Sequence, residues 1–138
     1  MNYVLDTHAV SALMKGSPAV VERLAATIPA EVAIPQPVLA EIAFGNERLP
    51  RSKRRTSLQA RFDLVSAELP RAEWTDAVSQ MFGRIKATLE RRGTRIEDFD
   101  ATIAAHALAL EATLVTANLD HLIRVPGLRV EDWSQGQG

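Results

Sequence analysis

Short apolar runs alternate along the chain with longer segments whose apolar residues recur at helical spacing. Tyr3-Val4-Leu5 predicts a strand ending at Asp6, and Thr7 suits the N-cap of a helix from His8 to about Met14, stopped by Gly16. Pro18 opens a second helix, with Val21, Leu24 and Ala25 as its apolar positions. Val32-Ala33-Ile34 reads as a second strand, followed by Pro37 in the first turn of a helix to Phe44 with Gly45 as its stop. From Arg51 to about Val65 a basic helix carries Leu58, Phe62 and Val65 on one side. Ala67-Glu68-Leu69 is the expected third strand. Trp74, Val78, Met81, Phe82, Ile85 and Leu89 then mark a long amphipathic helix reaching Arg92-Gly93.

The segment from Glu97 to Asn118 organises the rest. Ile103, Ala107 and Leu110 repeat at i, i+4, i+7, one buried helix face, and Thr113 to Thr116 has strand composition. A short turn or helix to Arg124, a Pro126-Gly127 turn and a last strand Leu128-Arg129-Val130 follow. Residues 1–133 read as one domain, and the tail 134–138 is expected to be disordered. Strands alternating with helices predict an α/β fold with a central, mostly parallel sheet covered on both faces.

That architecture predicts a site. Helices antiparallel to the strands bring helix starts and strand ends to the carboxyl edge, where ligands bind in open α/β sheets. Asp6 ends the first strand, Glu41 lies early in the helix after the second, Asp100 opens the helix before the fourth, and Asn118 follows that strand. Three carboxylates and an amide make an oxygen-rich set suited to Mg²⁺, with Mn²⁺ as a substitute. Thr7 and Thr116 are placed to hydrogen-bond the carboxylates, and Asn118 to orient Asp6. Asp98 lies about 200° around the helix from Asp100 and is read as an N-cap; Glu97 is read as surface. His8 and His106 are weak candidates for chemistry, His106 being expected to pack within its helix.

A chain of 138 residues fits a single domain with a sizeable core. With no cysteine, the chemistry falls to oxygen and nitrogen. No apolar run approaches the about 18 residues of a membrane span, and MNYVLDTHAV lacks a basic n-region, so a cytoplasmic protein is expected. The net charge is −1, yet Arg48, Arg51, Lys53, Arg54, Arg55 and Arg61 follow one another with no acid between them. A second cluster comprises Arg84, Lys86, Arg91, Arg92 and Arg95. Such local basicity suits nucleic-acid phosphates, or else a solvated helix face or a dimer surface.

Two other enzyme classes start from an aspartate after a strand. Phosphatases of the haloacid-dehalogenase type require a second aspartate two residues on, where this chain has His8. Receiver domains want an acidic pair and a late lysine, and no lysine follows Lys86.

Leu5-Asp6-Thr7, the early-helix Glu41, Asp100-Ala-Thr-Ile-Ala-Ala and Thr116-Ala-Asn118 resemble, in order and spacing, the PIN-domain nucleases. The segment Arg124 to Trp133 resembles the VapC toxins in particular. The resemblance spans nearly the whole chain and implies an α/β/α sandwich with Asp6, Glu41 and Asp100 as the catalytic, metal-binding acids. It implies a Mg²⁺-dependent endoribonuclease toxin acting on RNA, with transfer RNA or ribosomal RNA loops as the expected substrates. A homodimer silenced by a cognate antitoxin, or a larger toxin–antitoxin hetero-oligomer, is implied too. The family's common fourth acid, three residues after the asparagine, is here His121; Asn118 or the adjacent Asp120 is the substitute ligand to consider. A weakly catalytic RNA-binding PIN domain and a DNA-directed nuclease are the competing readings.

Overall fold

Parallel strands buried on both faces have no room for alternating polar residues, and the three central strands of this chain, Tyr3–Leu5, Val32–Pro35 and Thr113–Val115, are accordingly mostly apolar. The computed structural model describes residues 1–135. Its elements are β1 (Tyr3–Leu5), α1 (Thr7–Met14), α2 (Pro18–Ala25), β2 (Val32–Pro35), α3 (Gln36–Glu47), α4 (Lys53–Glu68), β3 (Arg71–Ala72), α5 (Asp76–Arg91), α6 (Asp98–Ala109), β4 (Thr113–Val115), α7 (Leu119–Leu122) and β5 (Val130–Glu131). A single 3-10 turn, Pro29–Glu31, precedes β2.

The sheet order is β3-β2-β1-β4-β5, and every pairing is parallel. Val4 stands opposite Ala33 on one side and Leu114 on the other, all three fully buried. The chain moves outward from β1 through β2 to β3, then returns to place β4 on the far side of β1. Right-handed crossovers put α1–α4 on one face and α5 and α6 on the other. In keeping with this, α1 packs on α2, α3 and α4, while α5 packs along α6. The direction reverses between β1 and β4, and that switch point is where the carboxyl edge opens a crevice.

Several boundaries differ from the expectation. The third strand is Arg71–Ala72, because α4 continues through Glu68 until Leu69 and Pro70 end it, and Ile34 N–H donates to the Pro70 carbonyl at 2.9 Å. Gly45 does not stop α3, which runs on to Glu47; Asn46 beyond it is buried and bonded to Gln59. In α2 the buried position is Val20, whereas Val21 is exposed. Thr75 caps α5 through Val78 N–H, leaving Trp74 outside the helix. Leu110 is the C-cap of α6 and lies exposed. The last strand is shifted to Val130–Glu131.

Trp133 is buried, edge-on to Tyr3, with the Arg23 guanidinium over its ring and Arg23 paired to Glu131 at 2.8 Å. These contacts pin the end of the sheet to α2. Of the expected tail, Ser134 N–H is held by Asp132 at 2.9 Å, and residues 136–138 lie outside the described ones. No helix among the described residues is long and apolar enough to cross a membrane.

Candidate active site

A carboxylate after a strand, with a helix starting at the next residue, is well placed to accept one of that helix's unpaired N–H groups. Asp6 does so: its Oδ1 accepts from Ala9 N–H at 2.8 Å, making Asp6 and not Thr7 the N-cap of α1. Thr7 becomes the first helical residue, and its hydroxyl crosses to α3 to donate to Glu41 Oε1 at 2.6 Å. Asp100 is the third residue of α6, half-buried beside them.

Electrostatics tie the three acids together. Burial raises the pKa of Asp6; the Thr116 hydroxyl, Ala9 N–H and His8 pull it down, while Glu41 adds to the rise. Asp100 is also raised, first by burial, then by the negative charges of Glu41 and Asp6, against smaller opposing effects of His121 and His8. The three carboxylates therefore feel one another. The ionisable side chains that lower the pKa of Asp6 and Asp100 are His8 and His121, with no lysine or arginine among them.

Thr116, buried at the end of β4, accepts Asn118 N–H at 2.9 Å as well as lying against Asp6. Asn118 faces His121 across 3.3 Å instead of Asp6. Asp120 is exposed on α7 and does not figure among the charges acting on Asp6 or Asp100. Asp98 is not an N-cap. Glu97 occupies that position without a side-chain bond, and Asp98, one residue into the helix, pairs with Lys86 at 3.1 Å. His106 is wholly buried, with Nδ1 donating to the Thr102 carbonyl at 2.7 Å; burial lowers its pKa, so it is neutral and part of the packing.

Asp6, Glu41 and Asp100 share a cleft of about 470 Å³. One wall is the α1 face of Thr7, Ser11 and Lys15, and the other is the α3 face of Glu41, Phe44 and Arg48. The start of α4 adds Arg54. Of the basic residues singled out from the sequence, only Arg48 and Arg54 reach this cleft. Arg51 and Arg55 line a separate hollow, where Arg55 pairs with Glu47 at 3.0 Å, and Lys53 lies exposed in neither. Arg61 donates to the Met14 carbonyl at 3.0 Å. Lys15 is the basic cleft residue that sequence reasoning missed. It stands outside both basic clusters, and its only signal is position, two turns beyond Thr7 on the same helix face.

The PIN domain family matches residues 3–128. This chain belongs to the PIN-domain family. Within it, the VapC branch is indicated by similarity to the ribonuclease VapC2 of Rickettsia felis, 33% identical over 75% of each chain. The tRNA(fMet)-specific endonuclease VapC of Shigella flexneri is 30% identical over 97% of this chain and 99% of that one. Among solved structures, VapBC2 from Rickettsia felis, bound to a DNA fragment from its promoter, superposes with a TM-score of 0.83 at 31% identity, covering 96% of this chain and 99% of that chain. The wholly parallel five-stranded sheet is thus that of a VapC-type PIN domain, and Asp6, Glu41 and Asp100 stand on its carboxyl edge.

Proposed function

We propose that this PIN-domain protein is the endoribonuclease toxin of a VapB–VapC pair, cutting RNA at Asp6, Glu41 and Asp100. The observation that carries this reading is the meeting of three carboxylates, drawn from three separate segments, in one cleft that also holds Arg48 and Arg54. Nothing in the folding of a small domain calls for such a cluster, since burial and like charge both act against it.

The donor set suits a hard divalent cation, Mg²⁺ first and Mn²⁺ as substitute. All three groups offer carboxylate oxygen, and a cation relieves a repulsion that two histidines only partly offset. Among the described residues no three acidic or imidazole groups are gathered around one point. Oδ1 of Asp6 is engaged by Ala9 and Oε1 of Glu41 by Thr7, so Asp6, Glu41 and Asp100 would have to draw closer together to hold the ion between them. When bound, the ion lowers the pKa of a water and neutralises charge on the phosphate. The residues supply the rest: Ala9 N–H and Thr116 fix Asp6, Thr7 fixes Glu41, and Arg48 and Arg54 draw the RNA backbone toward the acids.

The relative named as specific for tRNA(fMet) makes initiator transfer RNA the first substrate to try, with ribosomal RNA loops next. The VapBC structures similar to this chain support a cognate antitoxin partner, within a homodimer or a larger toxin–antitoxin assembly. The test is cleavage of total cellular RNA by antitoxin-free protein with Mg²⁺, Mn²⁺ or EDTA, beside Asp6→Asn, with the cut ends sequenced. Discrete, metal-dependent cuts lost in the variant are expected. Folded, antitoxin-free protein that cuts no RNA would overturn the reading in favour of RNA binding without cleavage or a DNA substrate.

A further inference from the structure

Glu41, Phe44 and Arg48 occur at i, i+3 and i+7, so they share one face of α3, the face that forms a wall of the acid cleft. Phe44 is 65% exposed, an unusual position for an aromatic ring on a helix whose Ile42 and Val38 are buried. It covers nothing in the core. The Arg48 guanidinium lies over the ring, 5.4 Å from its centre, and makes no ion pair among the described residues. Phe44 is about 4.5 Å along the helix axis from Glu41, within one nucleotide of the acids. Gly45, next to it, also lines the cleft.

Exposed Trp74 and Phe99 lie together in a different, almost wholly apolar groove that none of the three acids lines. Among the described residues, Phe44 is the one large exposed aromatic that lines the cleft of the three acids, together with Arg48 and Arg54. An aromatic face beside a guanidinium, next to a phosphate-binding edge, is the chemistry that receives an unstacked base.

We propose that Phe44 and Arg48 form a stacking platform for one unpaired base flanking the phosphate held at Asp6, Glu41 and Asp100, and thereby select single-stranded over paired RNA. This rests on the ribonuclease reading above. A base in a duplex is already stacked and cannot lie on the ring, whereas a splayed loop nucleotide can. Arg48 covers part of the ring and adds a cation for the adjoining phosphate. Because every base has a π-face, the platform selects pairing state more than sequence.

The test uses the antitoxin-free chain and a short RNA spanning its mapped cut, with one abasic nucleotide placed in turn at each flanking position. Wild type, Phe44→Leu and Phe44→Trp are compared by kcat and KM. One abasic position is expected to cost wild type about tenfold in kcat/KM, the scale of a single base–aromatic stack. The same position should cost Phe44→Leu nothing further, and Phe44→Trp should restore the dependence. A fold defect would lower every substrate equally, so the loss of position dependence separates stacking from structure. Equal abasic penalties in wild type and Phe44→Leu overturn the proposal. So does a Phe44→Leu protein that cuts every RNA at the wild-type rate, which would give the ring to a protein partner instead. Failure of wild type to cut any RNA overturns the ribonuclease reading and the platform together.

Discussion

The Thr7 hydroxyl donates to Oε1 of Glu41 across 2.6 Å, joining the first turn of α1 to the middle of α3. The bond holds one oxygen of Glu41, so the other is presented to the cleft in a fixed direction. Thr7→Val keeps the shape and removes the donor; it should lower kcat/KM by about ten- to a hundredfold, the usual cost of losing a hydrogen bond that orients a ligand carboxylate. Thr7→Ser should retain most of the rate. A divalent-metal titration of each variant checks the cause: Thr7→Val should need more metal, and an unchanged titration would mean that Glu41 is oriented by something else.

Asp100 offers a separation of stability from activity. Burial and the charges of Glu41 and Asp6 lift its pKa above the ordinary 3.8, so the protonated form is the one the metal-free fold prefers. The stability it contributes is present below the unfolded pKa and is lost as pH rises through the lifted one. Asp100→Asn removes that loss. In EDTA at pH 7 it should be more stable than wild type, by about 1 kcal/mol at most, and with Mg²⁺ it should cut nothing. Thermal melts at pH 4 and pH 7 check the sign, since the advantage should shrink toward the acid end.

Neighbouring arginines should behave differently. Arg54 lines the acid cleft and makes no ion pair among the described residues, whereas Arg55 is spent on Glu47 and the Leu49 carbonyl. Arg54→Gln should weaken RNA binding and lower the slope of log affinity against log salt by about one, as for one lost phosphate contact. Arg55→Gln should leave that slope alone and cost a little stability. Filter binding to an uncleaved RNA in EDTA across a salt series reads both.

The central strands and the meeting of Asp6, Glu41 and Asp100 in one cleft were legible in the sequence because apolar strands, helix periodicity and strand-end carboxylates are all local signals. What escaped was decided by competition between neighbours. Asp6 and Thr7 are both good caps; the cap went to Asp6 because its carboxylate reaches Ala9 N–H, and that left Thr7 free for Glu41. Asp98 looked like a cap but starts one residue too late and pairs with Lys86, twelve residues earlier on α5. The basic run around Arg54 gave charge without direction, since only the start angle of α4 decides which arginine faces the acids. Lys15 had no cluster to announce it.

The position three residues after Asn118 gives the sharpest test of how this chain departs from the common pattern of its family. Both His121 and Asp120 are exposed, but His121 lies 3.3 Å from the Asn118 amide and lowers the pKa of Asp100, whereas Asp120 does not figure among the charges that shift Asp100 or Asp6. A one-residue step along α7 turns a side chain by about 100°, so Asp120 cannot take over the place of His121 without rebuilding the helix. Asp120→Asn should therefore leave cleavage unchanged. His121→Asp puts a carboxylate where the imidazole stands, adds a fourth negative charge beside Asp100, and should lower the Mg²⁺ concentration needed for half-maximal cleavage. In EDTA the same substitution should melt lower at neutral pH, because like charge is added and the opposing effect of His121 is lost. If Asp120→Asn abolishes cleavage while His121→Asp leaves the metal requirement untouched, the fourth position belongs to Asp120 and α7 must turn on binding metal.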